Sequence, residues 1–449
     1  MLADRKSNLK LFIKSYGCQM NVYDADRMSD LLLAEGYSLS ADLSTADVII
    51  LNTCHIREKA TEKIYSELGR LCLEKNKRKK VGKKTVLAVG GCVGQAEGEE
   101  IIKRAPFVDL VFGPQTYHNL PKLLDDVFGF DKKIVDTSFP VSSKFDNLVT
   151  HEPSKPFSAF LTVQEGCDKF CSFCVVPYTR GAEYSRPVDQ IYSEAATLAE
   201  KGVKEITLLG QNVNNYHGVN SCGREFGLGR LIKKLSKISG LERIRYTTSY
   251  PADMNTELIN AHKNVKALMP FLHLPIQSGS NRILKLMKRR HSVEDYRELV
   301  SQLRSAEPNI AMSSDFMVGF PGESASDFDD TMSLVEEIKF ANAFSFKFSA
   351  RPGTPAARFG GQITEEVKSI RLERLQDLLN AQQLEFNQEC VGKSLPVLLE
   401  NVGKQNGKLV GRSPFMQLVH VEAPKDFLGK IANLKILGAR KSSLFGELL

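Results

Sequence analysis

The feature that most restricts the fold is a repeated placement of cysteine. Three short, apolar, β-rich runs near the amino terminus, LKLFIKSYGC, ADVIILNTC and KTVLAVGGC, each close on a cysteine: Cys18, Cys54 and Cys92, 36 and 38 residues apart. Polar, helix-competent stretches such as NVYDADRMSDLLLAEG and REKATEKIYSELGRLCLEKN separate them. Strand–helix alternation of this kind predicts a doubly wound parallel sheet, assigned here to a domain over residues 8–125. In an open parallel sheet the carboxyl ends of the strands share one edge, where ligands bind, so three thiols distant in sequence are expected to meet. One such cysteine reads as a small buried apolar residue. Three at equivalent strand ends read as a cluster site.

Other parts of this region carry less. The segment GGCVGQAEG is rich in glycine but lacks the Lys-Ser/Thr of a phosphate loop, and reads as a tight turn. Cys72 falls on the apolar face of a helix and is expected in the core. The run KNKRKKVGKK holds seven basic residues from Lys75 to Lys84 and no acid, the pattern of a solvated loop, with phosphate contact as the alternative. Residues 126–155, with Pro140 and Pro153, read as a linker.

Six further strand candidates follow between residues 157 and 356: FSAFLTVQEGC, KEITLLGQNV, RIRYTTSYP, FLHLPIQS, AMSSDFMVGFPG and FSFKFSARPGTP. Helical stretches separate most of them, which predicts a partial (β/α)6 barrel within a domain over 153–385. Active sites of such barrels lie at the carboxyl ends of the strands. There stand the polar segments GQN, TTSYP, PIQSGS, VGFPGE and ARPGTP. A helix over Thr364–Glu389, with Ile370, Leu372, Leu375, Leu378, Leu379 and Leu384 near one stripe, is expected to pack on the barrel. From residue 388 short β-rich runs predict a small antiparallel β-barrel over 388–449. Residues 392–449 hold nine Lys plus Arg against four Asp plus Glu, a balance suited to nucleic acid. The fold class is thus multidomain α/β.

The first barrel strand ends in the densest chemistry of the chain. Cys167, Cys171 and Cys174 form a C-x3-C-x2-C triplet, with Phe173 before the last thiol. Structural zinc takes four Cys or His ligands, commonly in two close pairs, and no fourth ligand lies near; Cys222 is 48 residues beyond Cys174, in a polar loop. Three thiols cannot pair off as disulfides, and nothing in the chain suggests an oxidising compartment. A four-iron, four-sulfur cluster has four ligand positions, so three protein thiolates leave one iron open to a small molecule.

The 449 residues include 60 Lys plus Arg against 53 Asp plus Glu, a net charge of +7 that favours a polyanionic partner. The start, MLADRKSNLK, has no apolar core of a signal peptide. No apolar run has the length of a membrane span. A cytoplasmic protein is expected.

The triplet resembles the signature of radical S-adenosylmethionine (SAM) enzymes. In that family the open iron binds the amino and carboxylate groups of SAM, and reduction cleaves SAM to a radical that takes hydrogen from unactivated C–H bonds. Its surroundings, CVVPYTRGAEYSRP, with GCQMN, NTCHIREKA, GCVGQ, GQNVNNY and KFSARPGTPA, resemble the methylthiotransferase branch that acts on tRNA. GKSLPVLLENV and LVGRSPFMQLVHVEAP resemble a TRAM domain, a module associated with tRNA binding.

The resemblance implies methylthiolation of C2 of N6-isopentenyladenosine at position 37 of tRNA. The adenine C2–H bond is too inert for acid–base chemistry, so cofactors carry the reaction and the protein positions them. It implies two [4Fe-4S] clusters, one held by Cys167, Cys171 and Cys174 and exchangeable with SAM. The other is an auxiliary, sulfur-donating cluster on Cys18, Cys54 and Cys92. Two SAM molecules are used per turnover, one for the radical and one for the methyl group. Phe173, Gly210, Gln211, Asn212, Gln277, Ser314, Asp315, Gly319 and Gly322 fall at SAM-pocket positions, and Arg180, Arg186 and Arg351 are candidates for substrate phosphate or carboxylate. GQN stands where many radical SAM enzymes have Gly-Gly-Glu. Tyr250 stands where many relatives have His, so no catalytic residue is assigned beyond the cluster ligands. An external low-potential electron donor and a monomeric protein are expected. The rival readings are methylthiolation of threonylcarbamoyladenosine in tRNA or of a ribosomal protein, and a non-catalytic iron–sulfur or zinc protein that binds tRNA.

Overall fold

The structure is a computed structural model. It describes residues 9–55, 58–130, 132–140, 144–147, 156–403 and 407–449, and the side chains of residues 58–62 are not described. The expected linker and the segment NTCHIREKA thus lie partly outside the described residues. The chain forms two compact units. One is Met1–Ser154 with Glu165–Asp168 and Val175–Tyr184; the other is Lys155–Gln164 with Lys169–Cys174 and Ser185–Leu449.

The first unit is built on six parallel strands: β1 (Lys10–Tyr16), β2 (Ser38–Leu39), β3 (Val48–Thr53), β4 (Val86–Gly91), β5 (Leu110–Phe112) and β6 (Ile134–Asp136), in the order β2-β1-β3-β4-β5-β6. Successive strand residues point to opposite faces, and both faces are covered. Val48 and Ile50 join one core with Met28, Leu32 and Leu124, while Ile49 and Leu51 join another with Ile64, Leu68 and Ile101. Two cores on one sheet are what a continuous apolar strand such as VIIL requires.

Three local expectations for this unit are corrected. GGCVGQAEG is no simple turn, because Cys92–Glu97 is helical between Gly91 and Gly98, both at positive φ. The basic run is not a solvated loop either. Its first half is the end of the helix Glu58–Lys80, where basic side chains complement the C-terminal dipole. Arg78 is buried, donates to Thr85 Oγ1 (2.7 Å) and the Ser44 carbonyl (2.9 Å), and pairs with Asp47. Lys75 pairs with Asp109. Cys72 is half-buried, with Asn76 Nδ2 3.5 Å from its sulfur, and so stands at the helix surface and not in the core.

The second unit contains six parallel strands in chain order: β7 (Ser158–Thr162), β8 (Glu205–Leu209), β9 (Arg243–Tyr246), β10 (Phe271–His273), β11 (Ala311–Val318) and β12 (Asn342–Lys347). Ladders join β7-β8-β9 and β10-β11-β12. Between β9 and the approach to β10, the Ile244 N–H donates to the Ala267 carbonyl and the Met269 N–H to the Ile244 carbonyl. This is the partial barrel that the alternation predicts, around a core that includes Leu161, Leu208, Ile244, Leu272 and Phe316.

Helix Glu365–Gln388 buries Leu375 and Leu379 against that core, with Leu372 and Leu378 partly buried beside them. Ile370, expected on the same stripe, is 52% exposed. Five strands then close a barrel in the order β13-β14-β15-β17-β16: β13 (Ser394–Val402), β14 (Lys408–Arg412), β15 (Leu418–Glu422), β16 (Ile431–Arg440) and β17 (Ser443–Leu448). All neighbours are antiparallel except β15 and β17. An odd number of strands cannot close with every neighbour antiparallel, so one parallel pair is obligatory. Arg243 and Arg245 of the larger barrel donate to the carbonyls of Pro396, Arg412, Ser413 and Pro414, and Glu205 forms ion pairs with both guanidinium groups.

Candidate active site

The register of the first sheet aligns its cysteines. Tyr16 is level with Thr53 and Thr53 with Gly91, so residues just beyond β1, β3 and β4 lie side by side. Cys18 caps the helix Gln19–Ala34, Cys54 follows β3 directly, and Cys92 opens the short helix after β4. Gly17 makes this approach possible. Its φ is +136°, and a Cβ there would stand 2.2 Å from Cys54 Cβ. Two asparagines hold the strand ends: Asn21 Nδ2 donates to the Thr53 carbonyl (3.2 Å) and Asn52 Nδ2 to the Asn21 carbonyl (2.7 Å). Neither was singled out from sequence, although both sit inside the quoted motifs.

The three thiols interact. Cys18 is pulled down to about 6, chiefly by its hydrogen bond with Cys54 and, against the effect of burial, by the charge of Arg180. Cys18 Sγ also donates to Asn21 Oδ1 at 3.2 Å. Cys92 is pushed up by burial, while Arg180 beside it opposes the shift. No disulfide forms among the nine cysteines. Among the described residues no three His, Cys, Asp or Glu side chains stand close enough to hold a single metal ion. Soft thiol donors at three neighbouring strand ends suit an iron–sulfur core.

The loop triplet is built differently. Cys167, Cys171 and Cys174 stand on one loop beyond β7. Gly166 precedes the first thiol at φ +77°, where a Cβ would stand 1.9 Å from the Ala182 carbonyl oxygen, and the Cys167 N–H donates to the Gly181 carbonyl. The Cys174 N–H donates to the Cys171 carbonyl, a tight turn between these two thiols. Ser172 anchors the turn: its N–H and hydroxyl donate to the carbonyls of Met287 and Leu286, and its own carbonyl accepts from the Ala356 N–H. Phe173 packs against the group formed by Ile283, Met287, Phe320, Phe348 and Ala356.

Around Cys171 lies a polar group that sequence reading only partly found. Arg289 Nη1 is 3.7 Å from Cys171 Sγ, Nη2 donates to the Pro275 carbonyl, and the guanidinium lies 4.1 Å from the Tyr250 ring centroid. The Tyr250 hydroxyl accepts from the Arg290 N–H at 2.8 Å, and burial raises its pKa. Tyr250 therefore stays neutral and packs the site. Lys169 pairs with Asp253 at 2.7 Å, and Asp253 accepts from Asn212 Nδ2 at 2.7 Å. Gln164 Oε1 accepts from the backbone N–H groups of Gln211 and Asn212 (2.8 and 3.1 Å), which orients the GQN turn. That leaves Asn212 Oδ1 buried with no hydrogen-bond partner among the described residues. A buried acceptor without a donor costs about 1–3 kcal/mol, and a ligand ammonium group would satisfy it.

The remaining expected positions divide by what their atoms already do. Ser314 is buried, its hydroxyl donating to the Leu274 carbonyl and accepting from the Ile276 N–H. Asp315 is half-buried, 3.5 Å from His273 Nε2. Gln277 is held at φ +83° by backbone bonds to Asp315 and Met317. Gly319 and Gly322 both have positive φ, and the Gly319 N–H donates to the buried Glu323 carboxylate. Gly210 sits against the Gln164 side chain. Arg351 is half-buried in the loop after β12. Arg186 is 1% exposed, donates to the Thr162 carbonyl and pairs with Glu194. Arg180 is equally inaccessible, in ion pairs with Asp24 and Glu165. Both charges are engaged inside the fold, which is where the structure employs them, and not at a surface open to phosphate.

Comparison with known proteins follows the same divisions. Residues 10–113 match the family described as "Uncharacterized protein family UPF0004", residues 161–335 the radical SAM superfamily and residues 388–449 the TRAM domain. The chain is 55% identical over 452 aligned positions to the tRNA-2-methylthio-N(6)-dimethylallyladenosine synthase of Agrobacterium fabrum, covering 100% of this chain and 99% of that protein. The chain belongs to this synthase family. The synthase of the same name from Maricaulis maris is 54% identical, with 98% and 97% covered.

Among solved structures, the radical SAM methyltransferase TsrM from Kitasatospora setae, with cobalamin and a [4Fe-4S] cluster bound, superposes with a TM-score of 0.56. It is 12% identical, and 78% of this chain and 77% of that one are covered. The cobalamin-dependent radical SAM enzyme OxsB gives 0.54 at 13% identity, covering 84% and 57%. At these identities the likeness is one of fold. Membership of the radical SAM superfamily implies a [4Fe-4S] cluster and SAM as cofactors.

Proposed function

We propose that the protein is a tRNA methylthiotransferase that converts N6-isopentenyladenosine at position 37 to its 2-methylthio derivative. The observation that carries this reading is the pairing, on one chain, of a cysteine triplet at a radical SAM barrel with a second cysteine triad at a sheet edge. Full-length identity above one half with two synthases of that activity supports it. When bound, SAM on a [4Fe-4S] cluster supplies the radical that opens the adenine C2–H bond, and an auxiliary iron–sulfur cluster supplies sulfur.

Cys167, Cys171 and Cys174 hold the first cluster in this reading, and Cys18, Cys54 and Cys92 the second. Asn212 offers its buried carboxamide oxygen to the methionine ammonium of SAM, and Gln164 and Asp253 fix its orientation. Arg289 places a cation beside Cys171. Phe173 seats the loop against the apolar group around Phe320. The basic five-stranded barrel takes tRNA backbone phosphate, whose contribution is sequence-independent and weakens with salt. Turnover consumes two SAM molecules and needs an external low-potential electron donor, and the enzyme works as a monomer in the cytoplasm. No helix among the described residues is long and apolar enough to cross a membrane.

The test is anaerobic reconstitution with iron, sulfide, SAM and reductant, followed by mass spectrometry of three substrates: isopentenylated tRNA, threonylcarbamoylated tRNA and ribosomal protein. A methylthio gain on isopentenylated tRNA alone is expected. A gain on either other substrate with isopentenylated tRNA unchanged replaces this reading with that one.

A further inference from the structure

Four charged side chains, each 1–2% exposed, close a ring inside the first unit. Arg180 contacts Asp24 at 2.7 Å and Glu165 at 2.6 Å, and Lys144 contacts Asp24 at 3.3 Å and Glu165 at 2.8 Å. Lys144 also donates to the Pro114 carbonyl and lies 4.6 Å from the centroid of the Tyr117 ring. The carbonyl of Arg180 itself accepts from Gln115. The ring is neutral overall, two cations and two carboxylates, so the fold tolerates it without water. Breaking such a set by removing one member costs about 3–5 kcal/mol.

Stability alone does not account for this ring, because an apolar cluster of similar volume serves a core equally well or better. What the ring does is hold one guanidinium at a defined place. Arg180 follows the short helix Val176–Thr179, which packs on the helix opened by Cys92. That packing sets Arg180 near the helix that Cys92 opens, where its charge acts on both Cys92 and Cys18.

We infer that Arg180 is a positioning residue for the strand-end triad: Asp24, Glu165 and Lys144 clamp its permanent cation against Cys18 and Cys92, where it stabilises negative charge on the sulfurs and on the iron–sulfur group they hold. Arginine suits this task because it cannot lose its proton and its fork spans two carboxylates at once. A nearby buried charge is one of the levers that set the potential of an iron–sulfur cluster. Arg180 therefore raises the reduction potential of the auxiliary cluster, easing electron entry there. This rests on the reading that Cys18, Cys54 and Cys92 hold a cluster.

The test uses full-length, anaerobically reconstituted protein carrying Cys167→Ala, Cys171→Ala and Cys174→Ala, so that all bound iron reports the strand-end triad. Its reduction potential is followed by EPR-monitored titration with and without Arg180→Gln. The expected result is full iron content with the potential shifted to lower values, because the reduced, more negative state loses its cation. Arg180→Lys keeps the charge and stays closer to the parent. Where Arg180→Gln alone fails to fold, Arg180→Gln with Glu165→Gln removes one charge of each sign, leaves Lys144 facing Asp24, and carries the same expectation. An unchanged potential at full iron content, or a loss of iron equal in the Lys and Gln variants, overturns the inference and leaves Arg180 a structural residue. A parent variant that binds no iron overturns the strand-end cluster itself, and this inference with it.

Discussion

The two cysteine triads of this protein reach similar chemistry by opposite routes. Cys167, Cys171 and Cys174 are contained in eight residues, and a single loop carries them. Cys18, Cys54 and Cys92 span 75 residues and come together only because β1, β3 and β4 are neighbours in one parallel sheet with aligned ends. The loop triad sits among cations that touch its surroundings singly, Arg289 at Cys171 and Lys169 paired with Asp253. Among the described residues the strand-end triad has one cation beside it, held by a closed ring of buried charges. Local spacing can specify a ligand set on a loop. A set assembled from strand ends must be fixed by sheet order, by a glycine that admits close approach, and by asparagines that tie the strand ends together.

This contrast sets the experiments. The largest effect is expected from Cys167→Ala with Cys171→Ala and Cys174→Ala: iron falls from about eight to about four per chain, and both SAM cleavage and methylthio product disappear. Iron analysis, Mössbauer spectra and product chromatography check this. Cys18→Ala with Cys54→Ala and Cys92→Ala removes the same amount of iron but keeps reductive SAM cleavage, so 5′-deoxyadenosine still forms while the methylthio product is lost. Retained methylthiolation in that variant would dissolve the distinction between the two triads. The smallest effect belongs to Asn212→Ala. Losing one hydrogen bond to a charged group costs about 1.5–3 kcal/mol, which weakens SAM binding about 10- to 150-fold without altering iron content. Equilibrium dialysis with SAM measures it, and unchanged affinity would return Asn212 to a purely structural part in the GQN turn.

Much of the architecture was legible before any coordinates. The apolar runs closing on Cys18, Cys54 and Cys92 predict parallel strands, six later runs predict the partial barrel, and the short β-rich tail predicts a small antiparallel barrel. All three are present, the last with one parallel pair. The errors have a common origin. The lysine-rich run read as a loop because its charges look solvated, yet Arg78 within it is buried against Asp47 and Thr85, partners 31 and 7 residues away. GGCVGQAEG read as a turn because of its glycines, yet two of them at positive φ bracket a helical turn. Arg180 and Arg186 read as candidates for substrate phosphate or carboxylate, and the structure pairs them inside the fold with Asp24, Glu165 and Glu194.

The sequence by itself determined the ligand types, the spacing that confines one triad to a loop, and the strand ends on which the other must lie, because these follow from periodicity and residue chemistry along the chain. Only the tertiary structure decided which charges neutralise one another, that Asn212 keeps a buried acceptor open, and that Arg180 faces Cys92 and not solvent. Those outcomes depend on register and burial, which bring together side chains as far apart as Asp24 and Arg180, and no local pattern records such a meeting.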